Sequence, residues 1–156
     1  MALELEIPRE FRGGKLPDKL VFQILEQYRI PLAPYGFAET PEDAVQVAGR
    51  IGYPVVLKIS SPDISHKTDV GGVVLNLNSS SEVYRAAREM VERVKARVPG
   101  ARLDGFIVQK MMPRGVEVIV GARSDPVFGG VVLFGVGGIY TELYRDFSLR
   151  VAPVSF

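Results

Sequence analysis

The sequence predicts an α+β fold with a largely antiparallel sheet and flanking helices, on three observations. Periodic segments follow the order α-β-α-β-β-α-β-β-β. Consecutive strands are joined by short, hairpin-like links rather than helical crossovers. Glycine (16) and proline (11) are plentiful and cluster at loop positions, as many turns between short elements require.

The totals bound the rest. A chain of 156 residues is long enough for one domain with a real core, or for a domain plus part of another. A net charge of +1 gives no reason to expect a nucleic-acid partner. No run reaches the length of a membrane-spanning helix, and the acidic, polar start is not a signal peptide. Zero cysteines excludes disulfides and thiolate metal sites and is compatible with the cytoplasm.

Residues 1–15 lack clear periodicity and read as an arm or linker. Pro17-Asp18 opens a helix with apolar Leu20, Val21, Ile24, Leu25 and Tyr28, stopped by Pro31 and Pro34. Leu32 to Phe37 reads as a short extended piece. Thr40-Pro41-Glu42-Asp43 starts a second helix, with threonine as N-cap and acids in the first turn, running to about Ile51 before Gly52. An apolar run carrying Lys58 breaks at Ser60-Ser61-Pro62-Asp63, and Val73 to Leu77 forms the strand beyond a polar loop. Ser79-Ser80-Ser81-Glu82 gives a capping box for a helix with an apolar stripe from Val83 to Val98. Strands are expected at Phe106 to Met112, Val116 to Ala122 and Val131 to Phe134, with a turn at Ser124-Asp125-Pro126.

The chemistry-bearing residues cluster. Lys58 in an apolar strand must send its ammonium somewhere polar; a lone strand lysine snorkels to the surface, but Val56, Leu57 and Ile59 leave it few polar neighbours. The loop after it is read as mobile and holds the only histidine, His66, beside Lys67 and Asp69. Gly71-Gly72 can offer exposed backbone N–H groups, which with Lys67 suit a phosphate. An imidazole nitrogen is also a phosphoryl nucleophile. Gln109-Lys110-Met111-Met112 ends a strand where an adenine could lie, although methionines are more often core. Gly135-Val136-Gly137-Gly138 is a second backbone-approach loop without Rossmann or P-loop spacing. Glu142 and Asp146 share a face only if their segment is helical.

In this order, the lysine strand, the loop, Q-K-M-M-P and the strand with Glu117 resemble the ATP-grasp fold, in which two α+β subdomains clamp ATP. More narrowly, G-Y-P-V-V-L-K-I-S-S-P-D-I-S-H-K-T-D-V-G-G-V and D-P-V-F-G-G-V-V-L-F-G-V-G-G-I-Y-T-E-L-Y-R-D-F-S-L-R-V-A-P resemble the ADP-forming acyl-CoA synthetases (acetate–CoA ligases), relatives of succinyl-CoA synthetase. The resemblance implies His66 as a phosphoryl relay, Lys58 on the nucleotide phosphates, and Gln109, Lys110, Met111 and Met112 as the adenine hinge. Glu117 would face the nucleotide, joined by Gly71 and Gly72, with Lys67, Asp69, Gly137, Gly138 and Glu142 as phosphate-site support. It also implies ATP or ADP as nucleotide, a cytoplasmic setting, and a hetero-oligomer with a CoA-binding alpha subunit or domain.

Two features depart from the family pattern. Arg29 stands where the family has glycine. The magnesium ligands of family members lie in later segments, a D-I-N-P-like motif and a further aspartate, whereas this chain stops at Phe156. The expectation is an excised domain, a truncated subunit or a piece completed by another chain. Its residues 16–112 would form the N-terminal ATP-grasp part and 113–156 an incomplete second subdomain. Mg2+ would belong to the complete enzyme, no metal ligand would lie in this chain, and the isolated chain would have little or no ligase activity. Two other readings are weighed beside it. One is a non-catalytic ATP-grasp-like regulatory module, for example of a protein acetyltransferase. The other is a different ATP-grasp ligase, disfavoured because His66 stands where those enzymes place a glycine-rich lid.

Overall fold

The structure is a computed structural model that describes residues 15–138 and 146–154. It divides into two compact units, one ending at Met112 and the other beginning at Pro113.

In the first unit, helix α1 (Asp18–Gln27) ends at Tyr28, where Arg29 takes a left-handed φ of 55°. Arg29 N donates to Glu26 O and Ile30 N to Leu25 O, the paired bonds of a Schellman ending, so the helix stops before either proline. A left-handed C′ position is one that glycine fills at least strain. Strand β1 (Tyr35–Ala38) follows. Helix α2 (Pro41–Ile51) has the expected start: Thr40 Oγ1 accepts from Asp43 N, and Asp43 Oδ2 from Thr40 N. Helix α3 (Ser80–Arg97) has half of the expected box. Ser79 Oγ accepts from Glu82 N, but Glu82 reaches past the cap to Asn78 N at 2.8 Å.

Strands β2 (Val55–Ser60), β3 (Val73–Leu77) and β4 (Gly105–Lys110) complete an antiparallel sheet of order β1-β4-β2-β3. The fourth strand ends two residues earlier than its apolar run, because Met111 N turns to Pro54 O. Strand alternation sends Val55, Leu57 and Ile59, all fully buried, to the face covered by α2 and α3. There they meet Val47, Val83, Met90 and Val94 in one core. Helix α1 covers the other face: Phe22 lies edge-on to Phe37 and 4.3 Å from the Tyr35 ring. The Tyr35 hydroxyl also donates to Glu26 Oε1 at 2.6 Å, which pushes the phenol up to about 12. Gly105 (φ 117°) must be glycine, since a Cβ would sit 2.2 Å from Ala38 O.

The second unit is a three-stranded antiparallel sheet, β5 (Val118–Asp125), β6 (Gly129–Val136) and β7 (Phe147–Val151). The first two strands run longer than expected because their turn is tight. Asp125 Oδ1 accepts from Val127 N and Phe128 N, so only residues 126–128 leave the ladder. β7 is not foreseen in the sequence, and Asp146 precedes it outside any helix. Glu142 lies outside the described residues. Among the described residues no helix is long and apolar enough to cross a membrane.

Candidate functional site

Period-two alternation on β2 puts Val56, Lys58 and Ser60 on the α1 side of the sheet, opposite the buried Val55, Leu57 and Ile59. Lys58 pairs with Ile107 on β4, so Gln109 lies one step diagonally away on the same face. Lys58 Nζ donates to Gln109 Oε1 at 2.6 Å. This half-buried ammonium therefore leans on a neutral amide. Burial, and then the nearby Lys67 ammonium, push Lys58 below the usual lysine range, while Asp18 pulls it back up.

The loop from Ser61 to Gly72, expected to be mobile, makes contacts on several sides. Lys15 Nζ donates to Ser61 O at 2.5 Å and Ile64 O at 2.9 Å. Lys67 Nζ pairs with Asp18 Oδ1 at 3.0 Å. From α3, Arg93 donates to Gly71 O and Arg97 to Asp69 O. Arg102 N donates to the Asp63 carboxylate. His66 is exposed between these anchors.

The glycine pair does not present its N–H groups outward. Gly71 N donates to Thr68 O at 3.0 Å and Gly72 N to Lys67 O at 2.7 Å, closing the loop on itself. Gly71 is favoured by its left-handed φ of 70°, and Gly72 by close packing. A Cβ on Gly71 would meet Arg93 Cδ at 2.4 Å, and one on Gly72 would meet Ile59 Cγ2 at 2.5 Å. Any phosphate contact in this loop falls to side chains, or to other backbone groups.

Gln109 and Lys110 face opposite sides of the sheet. Lys110 Nζ donates to Gly52 O and Tyr53 O, so its ammonium fastens the turn before β2 and lies apart from Lys58. Met111 is half-buried and Met112 exposed at the end of the unit. In the second unit, Glu117 and Gly137-Gly138 come together. Gly137 N donates to Glu117 O at 2.9 Å, and a Cβ on Gly138 (φ 80°) would lie 2.8 Å from Glu117 Oε2. These glycines admit the Glu117 backbone and carboxylate at close range.

The sequence reading missed Asp18 and Lys15. Asp18 reads as an ordinary first-turn acid, and Lys15 as the end of a linker; only the tertiary fold brings them to Ser60, Ser61 and Lys67. Among the described residues, no three His, Cys, Asp or Glu side chains converge on a point that could hold a metal ion.

A lysine strand under a braced loop, followed by a separate antiparallel sheet, is the arrangement of an ATP-grasp protein. The chain belongs to that family, whose ATP-grasp domain model matches residues 10–156. It is 46% identical over 143 residues to acetate–CoA ligase [ADP-forming] I of Archaeoglobus fulgidus, covering 92% of this chain and 21% of the relative. It is likewise 46% identical over 133 residues to subunit beta of acetate–CoA ligase [ADP-forming] I of Pyrococcus furiosus, 85% of this chain and 57% of that one. A solved structure of the dinucleotide-forming acetyl-coenzyme A synthetase 1 of Ca. Korarchaeum cryptofilum, with coenzyme A, Ca-AMPCP and HgCl+, superposes with a TM-score of 0.87. It is 47% identical, over 94% of this chain and 64% of that chain. A second structure of the same protein holds coenzyme A and Mg-AMPPCP, with its phosphohistidine segment pointing towards the nucleotide-binding site (TM-score 0.71, 43% identity, 90% of this chain and 58% of that chain). This chain thus spans about a fifth of the first relative and under two thirds of the others. The α+β, ATP-grasp expectation is borne out.

Proposed function

We propose that this chain is the nucleotide-binding portion of an ADP-forming acyl-CoA synthetase, which converts acyl-CoA, ADP and phosphate reversibly to acid, CoA and ATP. The observation that carries the reading is Lys58, a half-buried ammonium hydrogen-bonded to a neutral amide and placed beside the loop that presents His66. A nucleotide's phosphates supply the charge that Gln109 does not. The relatives supply the class of reaction, being ADP-forming ligases, one of them a beta subunit.

In this reading His66 takes a phosphoryl group from a CoA-binding alpha subunit or domain, and the assembly is a cytoplasmic hetero-oligomer. The exposure of His66 suits a group that must meet a donor from another chain or domain. A β-phosphate oxygen of ADP then attacks phosphorus. The phosphorus–nitrogen bond breaks, and the ring leaves with the bonding pair as neutral imidazole, yielding ATP. Lys58 and Lys67 offset the charge spread over the transferring oxygens. Gln109, Met111 and Met112 flank the adenine. Magnesium belongs to the complete enzyme. Among the described residues no set of donors fits it.

The test combines the chain with a CoA-binding partner subunit, acetyl-CoA and radiolabelled phosphate, then adds ADP. Acid-labile label on the chain, absent in His66→Ala and discharged by ADP, is the expected result. Label that persists in His66→Ala sinks the relay. ADP binding with no label at all favours the regulatory-module reading.

A further inference from the structure

Three polar groups converge on one carboxylate at the start of α1. Asp18 Oδ1 accepts from Lys67 Nζ at 3.0 Å and lies 3.8 Å from Lys15 Nζ. Its Oδ2 accepts from Ser60 Oγ at 3.0 Å, at the end of the strand that carries Lys58. An exposed ion pair would hold little. Here the Asp18 side chain is 11% exposed and that of Lys67 17%. Breaking the contact would strand a charge away from water. The Asp18–Lys67 bond spans 49 residues and fastens the loop one residue beyond His66.

We infer that Asp18 is a positioning residue of the phosphate site: it holds Lys67, and with it the backbone carrying His66, against the sheet face that presents Lys58. What the site binds rests on the nucleotide reading; what Asp18 does rests on the contacts alone. Without this carboxylate, Lys15 and Lys58 would keep their neutral acceptors, but the ammonium groups of Lys15, Lys58 and Lys67 would lose the anion that offsets their mutual repulsion. The charged groups that act on Lys58 are Asp18 from α1 and Lys67 from the loop, while β4 contributes the neutral Gln109 and β3 the apolar Val73.

Asp18→Asn, Asp18→Glu and Lys67→Met separate positioning from mere support of the fold. His66 is the only histidine, so its imidazole gives a single set of NMR signals. Labelled lysine side chains report the titration of Lys58 directly. In Asp18→Asn, Lys58 should titrate at lower pH than in the wild type, and the His66 signal should move. Asp18→Glu should restore both. Lys67→Met should move the His66 signal but shift the Lys58 titration upward, because a like charge has gone. ADP affinity should begin to fall at lower pH in Asp18→Asn than in the wild type, following the Lys58 titration. A folded Asp18→Asn protein whose Lys58 titration and His66 signal are unchanged overturns the inference. If Asp18→Asn does not fold, unchanged Lys58 and His66 signals in Lys67→Met do the same. Wild-type chain that fails to bind ADP while the NMR responses appear removes the nucleotide reading and leaves the positioning role standing.

Discussion

A lysine held below its usual range loses stability to its own burial, and that makes Lys58 testable apart from any ligand. Between the depressed folded value and the ordinary 10.5, the unfolded chain holds the proton that the folded chain has released. This term therefore makes the protein more stable as pH rises through that window. Lys58→Met removes it, so urea midpoints of wild type and variant should converge towards pH 10; a constant gap would contradict the buried-lysine account. The same substitution should weaken ADP binding by about 1.5–3 kcal/mol, roughly ten- to a hundredfold, since it removes a charge-assisted hydrogen bond. Gly72 carries a different prediction. Its substitution by alanine drives a methyl into Ile59 Cγ2 and towards Lys67 O, 2.9 Å away. It should cost about 1–3 kcal/mol in urea denaturation, and a neutral result would mean the loop is not packed as described. Lys58 and His66 were legible because each is chemically odd for its setting. Asp18 was not, since a first-turn aspartate is what any helix start looks like, and its partner lies 49 residues away.

At the scale of elements, the start of α2 is legible because its signals act locally. The threonine cap, the proline and the acids of α2 act within one turn, and the structure contains that box. The Asp43 carboxyl lies below its usual range because it accepts from the Thr40 hydroxyl and backbone. Its folded value is the lower one, so the stabilisation is present above the unfolded value near 3.8 and is lost on acidification below it. Thr40→Ala should therefore flatten the fall in helix stability between pH 5 and pH 2, checked by circular dichroism across denaturation midpoints. An unchanged acid limb would show that the pair contributes nothing. The end of α1 was misread, because the prolines are visible in sequence while the left-handed turn at Arg29 is not. Arg29→Gly should relieve about 1 kcal/mol of backbone strain and raise the melting temperature. β7 was missed for a related reason: it acquires its identity only from pairing with β6, at registers such as Val131↔Val151 and Leu133↔Leu149.

Across the whole molecule, the two units differ in how they store stability. The first encloses a core in which Leu57, Ile59, Val83, Met90 and Phe106 are almost wholly buried between one sheet face and two helices. In the second, Val118, Val120 and Phe134 share one face and Phe147, Leu149 and Val151 the other, each about half exposed or more. A sheet ladder with apolar side chains in water has its hydrogen bonds but little hydrophobic burial to defend them, so its opening free energy should be low. Native-state hydrogen exchange reads this directly. Amides of β2, β4 and α3 should exchange only through global opening, with urea dependence close to that of full unfolding. Amides of β5 and β6 should exchange earlier, through an opening with a smaller urea slope. Equal protection and equal slopes in both units would mean that the second sheet is buried in solution. A fluorescent apolar dye would then fail to bind as well, whereas the exposed faces predict dye binding that is lost when Phe134 and Phe147 are replaced by serine.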